Sequence, residues 1–294
     1  MKIVMQTNKT VEAAFSEFIF TKQNENLAQA SISDYSNMFG FFMDFYGRDN
    51  PTSGINHEVY QRYLAYLRTK PKKQNNPEKK DVIEYLSDQS IATYARQVRT
   101  VLNFFMERGY LGYFKIILPK AEEKVKETYT QREMERLLEK PDLKTCRFSE
   151  YRNWVILNYI TATANRISTV INLRIYDLDF EDETITLRTV KNKKQYVMPM
   201  SKHLKRILIE YLSYRKGELD DFLFCSENDS KKPLTEGGIK TTMAKYNQSR
   251  GVSKTSCHII RHYFSLKYLQ KRWAANGPEV HSWTQNPCNG AEIC

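Results

Sequence analysis

Apolar residues recur at helical spacing through most of this chain, and no other feature limits its fold as strongly. Side chains three and four residues apart share one face of an α-helix, so each such stretch predicts a helix with one buried side. We therefore expect a mainly α-helical protein. The predicted helices are 11–27, 31–47, 55–69, 89–108, 130–140, 150–163 and 165–173.

Two of these helices also carry a start signal. Ser31 and Asp34 stand three residues apart at the beginning of the second helix, and Thr130 and Glu133 do so at the beginning of the fifth. In a capping box, each of the two side chains accepts a hydrogen bond from the backbone N–H of the other residue. We expect both helices to begin at these pairs.

The apolar pattern changes period once, between residues 184 and 199. The segments 184–190 and 195–199 have the composition and alternation of β-strands. They flank Lys191, Lys193 and Lys194, so we predict a β-hairpin with lysines at or beside its turn. A small antiparallel sheet among helices makes the second part of the chain a mixed α+β domain.

Two segments lack an apolar period and are polar in composition. Residues 70–80 are rich in lysine and contain two prolines, which predicts a polar loop. Residues 119–128 begin with Pro119 and mix lysine with glutamate, which is typical of a linker. We therefore predict a helical domain over 1–118, a linker over 119–128 and a second domain over 129–270.

The charge of the chain favours a polyanion as its partner. The 294 residues carry a formal net charge of +11, and proteins that bind nucleic acids are typically basic. In the first domain, Arg96 and Arg99 are the candidates for phosphate contact.

No apolar run could span a membrane and the first ten residues lack a signal-peptide layout, so we expect a cytoplasmic protein without membrane contact. The five cysteines form no Cys-x-x-Cys pair, which argues against a disulfide framework and a zinc site.

Three separate segments of the second domain carry side chains suited to holding a phosphate. His258 and Arg261 stand three residues apart in the first turns of an apolar helix, where they share one face. Arg166 lies at the start of another predicted helix, and Lys191 lies on the hairpin. A guanidinium presents a planar pair of donors to a phosphate, and an imidazole can move a proton near neutral pH.

The sequence around these residues resembles that of the tyrosine recombinases, also called phage integrases. Residues 163–169 read Thr-Ala-Asn-Arg-Ile-Ser-Thr, similar to the family's Thr-Gly-x-Arg-Ile-Ser-Glu, and a matching Tyr-Asp-Leu-Asp follows at 176–179. Residues 191–199 read Lys-Asn-Lys-Lys-Gln-Tyr-Val-Met-Pro, similar to the family's Lys-Gly-x-Lys-x-Arg-x-x-Pro. The resemblance implies that 1–118 is a DNA-clamping core-binding domain and that 129–270 is the catalytic domain.

The resemblance also implies a role for each site residue. Arg166 and Arg261 would stabilise a phosphorane-like transition state, Lys191 would be the general acid, and His258 would assist proton transfer. Lys193 and Lys194 would contact DNA. Because the arginine and lysine side chains supply the cations, we expect no metal. Because a tyrosine of the family forms a 3′-phosphotyrosyl link that stores the bond energy, we expect no nucleotide cofactor. The implied partners are double-stranded DNA and further copies of this chain, as a homo-tetramer on that DNA.

The chain departs from the family pattern at three points. Ala164 stands where the family usually has glycine, and Thr169 stands where it commonly has an acidic residue. Only Tyr263 and Tyr268 follow Arg261, whereas the nucleophilic tyrosine of the family lies much further along the chain. We therefore expect this chain to lack the attacking hydroxyl.

Residues 271–294, which we call the tail, differ in composition from the rest of the chain, and we expect helical periodicity to stop at Lys271. If the codons of the tail are read one nucleotide later, the Trp273/Ala274 and Trp283/Thr284 junctions must encode glycine, because tryptophan has a single codon. The same frame permits Leu-Gly-His around Trp283 and a tyrosine at the Ile293/Cys294 junction. These are the remaining landmarks of the family, in order. One interpretation of the tail is a natural disordered or loop-like segment. The other, which we favour, is an aberrant segment produced by a frameshift in an integrase gene.

The sequence alone leaves three functions open. The first is a site-specific recombinase or integrase of a mobile element, inactive in this chain for lack of the tyrosine. The second is a noncatalytic DNA-binding protein that competes for recombination sites. The third is a metal-free phosphotransferase or an RNA-binding protein whose motifs are accidental.

Overall fold

The computed structural model describes residues 9–71, 84–122, 127–188, 195–227 and 229–276, with side chains as far as Gln270. The chain divides into two compact units, Met1–Val125 and Lys126–Cys294. Both are built mainly of helices, and the second also contains a small antiparallel sheet, so the expected fold class is confirmed. Within the described ranges, none of the helices combines the length and the hydropathy of a membrane-spanning segment.

The helices of the first unit begin at polar caps, with one exception. The side chains of Thr10, Asn56 and Ser87 each accept a hydrogen bond from a backbone N–H three residues further on, which satisfies a donor that the helix itself leaves open. The helices of the described part are α1 (Val11–Asn24), α2 (Gln29–Tyr46), α3 (His57–Thr69) and α4 (Asp88–Glu107).

The exception is α2, where the predicted start at Ser31 is wrong. The backbone N–H groups of Ser31 and Ile32 both donate to the carbonyl of Ala28, at 2.8 and 3.1 Å. The chain is therefore already helical at Gln29, and no side chain caps its end. Ser31 and Asp34 lie inside the helix instead of starting it.

Aromatic rings fill the core of the first unit. The ring centroid of Phe39 lies 4.7 Å from Phe15, 5.3 Å from Phe42 and 5.8 Å from Phe105, and all four side chains are buried. Each fully buried ring contributes on the order of 2–3 kcal/mol through the apolar area it removes from water. Tyr94 is partly buried and packs against the same cluster.

The second unit is arranged around one buried helix, α6. Its ten residues from Tyr151 to Ile160 are all buried, so it has no solvent-facing side over that length. Elements from along the whole unit pack against it: α5 (Gln131–Leu138), α8 (Lys202–Arg215), α9 (Glu236–Ser249) and α10 (Cys257–Asn276) all contact α6 (Phe148–Thr163).

The sheet contains the predicted hairpin. The strands β1 (Leu178–Asp179), β2 (Thr184–Leu187) and β3 (Tyr196–Pro199) pair antiparallel in that order. In the pair β2–β3, Leu187 lies opposite Tyr196 and Thr184 lies opposite Pro199. The predicted turn, with Lys191, Lys193 and Lys194, lies outside the described residues.

The boundary predicted between the catalytic domain and the tail does not coincide with the end of a helix. α10 continues six residues beyond Gln270, to Asn276, so helical periodicity does not stop at Lys271. The composition of residues 271–276 changes without changing the backbone, because alanine, lysine and arginine all favour helix. The remainder of the tail, residues 277–294, lies outside the described residues.

Candidate active site

Arg166 lies at the N-cap of a one-turn helix, α7 (Ile167–Val170), which follows the end of α6. The Arg166 carbonyl accepts hydrogen bonds from the N–H groups of Thr169 (2.9 Å) and Val170 (3.1 Å), and its side chain is exposed. The helix predicted over 165–173 is therefore too long. It begins only at Ile167, because the backbone is left-handed at Ala164, where φ is 53°, and extended at Arg166.

Asn165, directly before Arg166, connects the Arg166 loop to the sheet. Its buried amide donates to the hydroxyl of Tyr159 (3.1 Å) and contacts the sulfur of Met198 (3.3 Å), while its carbonyl oxygen lies 3.5 Å from the hydroxyl of Tyr196. Met198 and Tyr196 belong to β3. The arginine loop and the hairpin that carries the candidate lysines are thus fixed to each other at β3.

His258 and Arg261 lie in the first two turns of α10. Cys257 and Ile260 turn inward and are buried in the core, which leaves His258 exposed and Arg261 partly exposed. The Oγ of Ser256 accepts a hydrogen bond from the His258 N–H at 3.3 Å. The predicted helix is present.

A buried polar network holds the segment that leads into α10. The Asn247 amide donates to the Lys254 carbonyl (2.7 Å) and to the hydroxyl of Tyr129 (3.0 Å), and that hydroxyl donates in turn to the Lys254 carbonyl (3.1 Å). The Lys254 ammonium lies 3.0 Å from the carboxylate of Glu133, at the start of α5. These contacts join the beginning of α10 to α9 and to α5.

Glu133 has two roles in that network. It forms the predicted capping box with Thr130, which is confirmed by hydrogen bonds of 2.7 and 3.2 Å. The N–H of Thr130, together with the Lys254 ammonium, lowers the pKa of the Glu133 carboxyl. The ionised carboxylate of Glu133 is thus stabilised at the position where it pairs with Lys254, just before α10.

Asp177 secures the other side of the sheet. Its buried carboxylate accepts from Nε of Arg188 at 2.8 Å and from the backbone N–H of Arg174 at 2.9 Å. The Arg188 guanidinium also lies over the ring of Tyr176, 5.2 Å from its centroid. Sequence reasoning recognised Asp177 only as part of a matching tetrapeptide and missed this ion pair, which fixes the end of β2.

Two of the three candidate segments thus adjoin the same helix, α6. Arg166 follows the end of α6, and α10, with His258 and Arg261, packs against α6. Lys191, Lys193 and Lys194 lie outside the described residues, so their predicted roles stay predictions. Within the described ranges, no three His, Cys, Asp or Glu side chains gather as metal ligands would.

His262 is a neighbour of the site that sequence reasoning did not single out. Its ring lies 5.3 Å from that of His258, centroid to centroid, and the two planes are nearly perpendicular at 88°. The spacing of four residues between the two histidines was the signal that could have identified the pair.

In the first unit, Arg99 borders a basic groove of about 470 Å³. Phe18, Phe104 and Phe114 contribute apolar walls, and Lys22 and Lys115 add positive charge. Burial raises the pKa of Tyr60, close to Arg99, to about 12, with the arginine charge acting in the opposite direction. Arg96, one turn earlier on α4, is exposed.

Comparisons with known proteins identify a matching family model and similar sequences. Residues 127–276, half of the chain, match the model of the phage integrase family. The chain is 26% identical over 259 residues to a tyrosine recombinase XerC of Roseiflexus sp., covering 83% of this chain and 76% of that protein. It is 23% identical over 258 residues to a tyrosine recombinase XerC of Staphylococcus aureus, covering 85% of this chain and 80% of that protein.

Two solved structures share the fold. A lambda integrase tetramer bound to a Holliday junction matches with a TM-score of 0.68 at 13% identity, over 91% of this chain and 72% of that chain. The Tn1549 transposon integrase in complex with circular intermediate DNA matches with a TM-score of 0.63 at 18% identity, over 92% of this chain and 89% of that chain.

Replacing Ala164 with glycine should stabilise the second unit. Ala164 adopts φ 53° and ψ 18°, a left-handed conformation in which its Cβ is strained and glycine is not. We expect Ala164→Gly to raise the free energy of unfolding by roughly 0.5–1 kcal/mol, measured by urea denaturation.

The matched control is Ala162→Gly, two residues earlier and inside α6. There glycine should lower the free energy of unfolding by about 0.5–1 kcal/mol. If both substitutions destabilise the protein to the same extent, the left-handed end of α6 is not the source of strain.

Proposed function

Because the chain belongs to the phage integrase family, we propose that it is a site-specific DNA recombinase of a mobile element. Enzymes of this kind cut and rejoin double-stranded DNA through a 3′-phosphotyrosyl intermediate. The observation that carries the proposal is the placement of Arg166 at the end of α6 and of His258 and Arg261 on α10, which packs against α6.

DNA as the partner is supported by charge and by the similar structures. The chain has a formal net charge of +11, and the lambda and Tn1549 integrases were solved with a Holliday junction and with circular intermediate DNA. The lambda integrase at the junction is a tetramer. We infer the same kind of assembly here, with several copies of this chain on one DNA.

In this proposal, Arg166 and Arg261 hold the scissile phosphate. Attack by a tyrosine oxygen on phosphorus creates a phosphorane-like state with additional negative charge on the nonbridging oxygens, and fixed guanidinium donors stabilise that charge. Removing one such donor lowers the rate by about 10²- to 10³-fold. As the P–O5′ bond breaks, Lys191 gives its proton to the 5′-oxygen, and His258 assists removal of the tyrosine proton.

We also propose that this chain, in its present reading frame, holds a phosphodiester without attacking it. The hydroxyl of Tyr263 donates to the side chain of Gln131 at 2.6 Å, and burial raises the pKa of Tyr263, so its phenolate is disfavoured. Tyr268 stands two helical turns, about 10 Å, from Arg261 along α10. Such a chain acts as a noncatalytic competitor for recombination sites, which is the second candidate function.

The reading frame of the tail explains the missing hydroxyl. The nucleotide sequence of the segment encoding residues 270–294 should permit Leu-Gly-His and a tyrosine when it is read one nucleotide later. This requires the Thr284 codon to be ACA, so that the shifted frame reads CAC, and the Ile293 codon to be ATA. Any other codon at Ile293 removes the tyrosine and contradicts the frameshift.

A suicide DNA substrate, nicked so that religation fails, tests whether the chain attacks DNA. We expect the chain to bind the duplex, selected beforehand from a random-sequence pool, without forming a covalent adduct on denaturing gels. Deleting one nucleotide at the Lys271 codon restores the other frame, and that protein should form the adduct. An adduct with the unaltered chain contradicts the proposal, and Tyr268→Phe and Tyr263→Phe variants would then identify the nucleophile.

The basic groove of the first unit should account for part of the DNA affinity. Phosphate contacts release counterions, so each contact adds about 0.9 to the slope of log affinity against log salt concentration. The double variant Arg96→Gln/Arg99→Gln should reduce that slope by about 2, measured by fluorescence anisotropy on the selected duplex. The charge-matched control is Arg48→Gln/Arg108→Gln, whose guanidinium groups already pair with carboxylates. Equal slopes for the two double variants would exclude phosphate contact by Arg96 and Arg99.

A further inference from the structure

The exposed side of α10 carries a pair of histidines whose geometry matches a metal site. His258 and His262 stand four residues apart, so they share one helical face. Their ring centroids are 5.3 Å apart. Cys257 and Ile260 occupy the buried side of the same turns, so the two rings are not part of the core packing.

The separation of the rings agrees with chelation of one ion. Zinc binds an imidazole nitrogen at about 2.0–2.1 Å with tetrahedral angles, which places the centroids of two ligating rings about 5.2 Å apart. We propose that His258 and His262 form a two-histidine site for a divalent transition metal of the zinc type. Water completes the coordination, because two protein ligands leave two tetrahedral positions.

The surroundings determine which metal fits. Imidazole ligands suit zinc, copper and nickel, whereas magnesium and calcium require oxygen ligands. The neighbouring Cys257 does not add a thiolate, since its side chain is buried in the core on the opposite side of the helix. Arg261 is positively charged and repels a cation. A metal ion must therefore be bound by coordination to the imidazole nitrogens.

Metal binding has a consequence that rests on the proposed function of His258. A metal ion takes the lone pair that an imidazole needs to accept a proton. An occupied site therefore removes His258 from proton transfer at the nucleophile. In a chain with the tyrosine in frame, zinc would act as a reversible inhibitor of DNA cleavage.

Isothermal titration of the whole chain with zinc chloride, without DNA, tests the site itself. Either His258→Gln or His262→Gln should weaken zinc binding at least about tenfold, because each removes one of two ligands. His203→Gln is the matched control: His203 is an exposed helical histidine without a histidine neighbour at helical spacing, and its removal should leave the affinity unchanged. Magnesium chloride should give no binding heat.

Unchanged zinc affinity in His262→Gln overturns the proposal. A second readout does not depend on the variants: the electron paramagnetic resonance spectrum of bound Cu²⁺ should show two equivalent ring nitrogens, and a single nitrogen overturns it as well. The proposed function is tested separately. If zinc binds the pair but the frame-restored protein forms its DNA adduct at the same rate, the metal site stands and the role of His258 fails.

Discussion

The burial of α6 on every side is the constraint on which the second unit depends. A helix with ten consecutive buried residues must be covered completely, and α5, α8, α9 and α10 supply that cover. Its polar side chains need partners inside the protein: Arg152 donates to the Cys225 carbonyl at 2.6 Å, and Asn158 donates to the Trp154 carbonyl at 2.9 Å. Burial also lowers the pKa of Arg152. The end of this rigid element then directs the chain into Arg166.

The described residues of the candidate site are positioned in the same way. Each side chain proposed to touch the phosphate is exposed or partly exposed, and a buried residue directly before it in the sequence fixes its position. Asn165 precedes Arg166, Cys257 precedes His258, and Ile260 precedes Arg261. Rigid neighbours of this kind allow charged groups to remain solvated in the free protein and still be held for a ligand, which is what electrostatic stabilisation of a transition state requires.

The sequence predicted the fold class, most of the longer helices, the hairpin and the family, and the match to the family model confirms that resemblance. It missed α8 and α9, although Ser201 and Thr235 cap them. Local sequence patterns also failed to predict side-chain contacts that form only in the tertiary structure. The pairing of Asp177 with Arg188 joins the residue before β1 to the residue after β2, and the contact of Asn165 with β3 spans more than thirty residues. Neither follows from a periodic pattern.

The central claim is that Arg166 and Arg261 hold one phosphate together. A double-mutant cycle tests it most directly, with Arg166→Gln, Arg261→Gln and the double variant compared for affinity to the selected duplex at fixed salt. Two groups that share one phosphate should show a coupling energy of about 1 kcal/mol or more. Losses that add to within about 0.5 kcal/mol would mean that the two arginines contact separate phosphates, and would contradict the account.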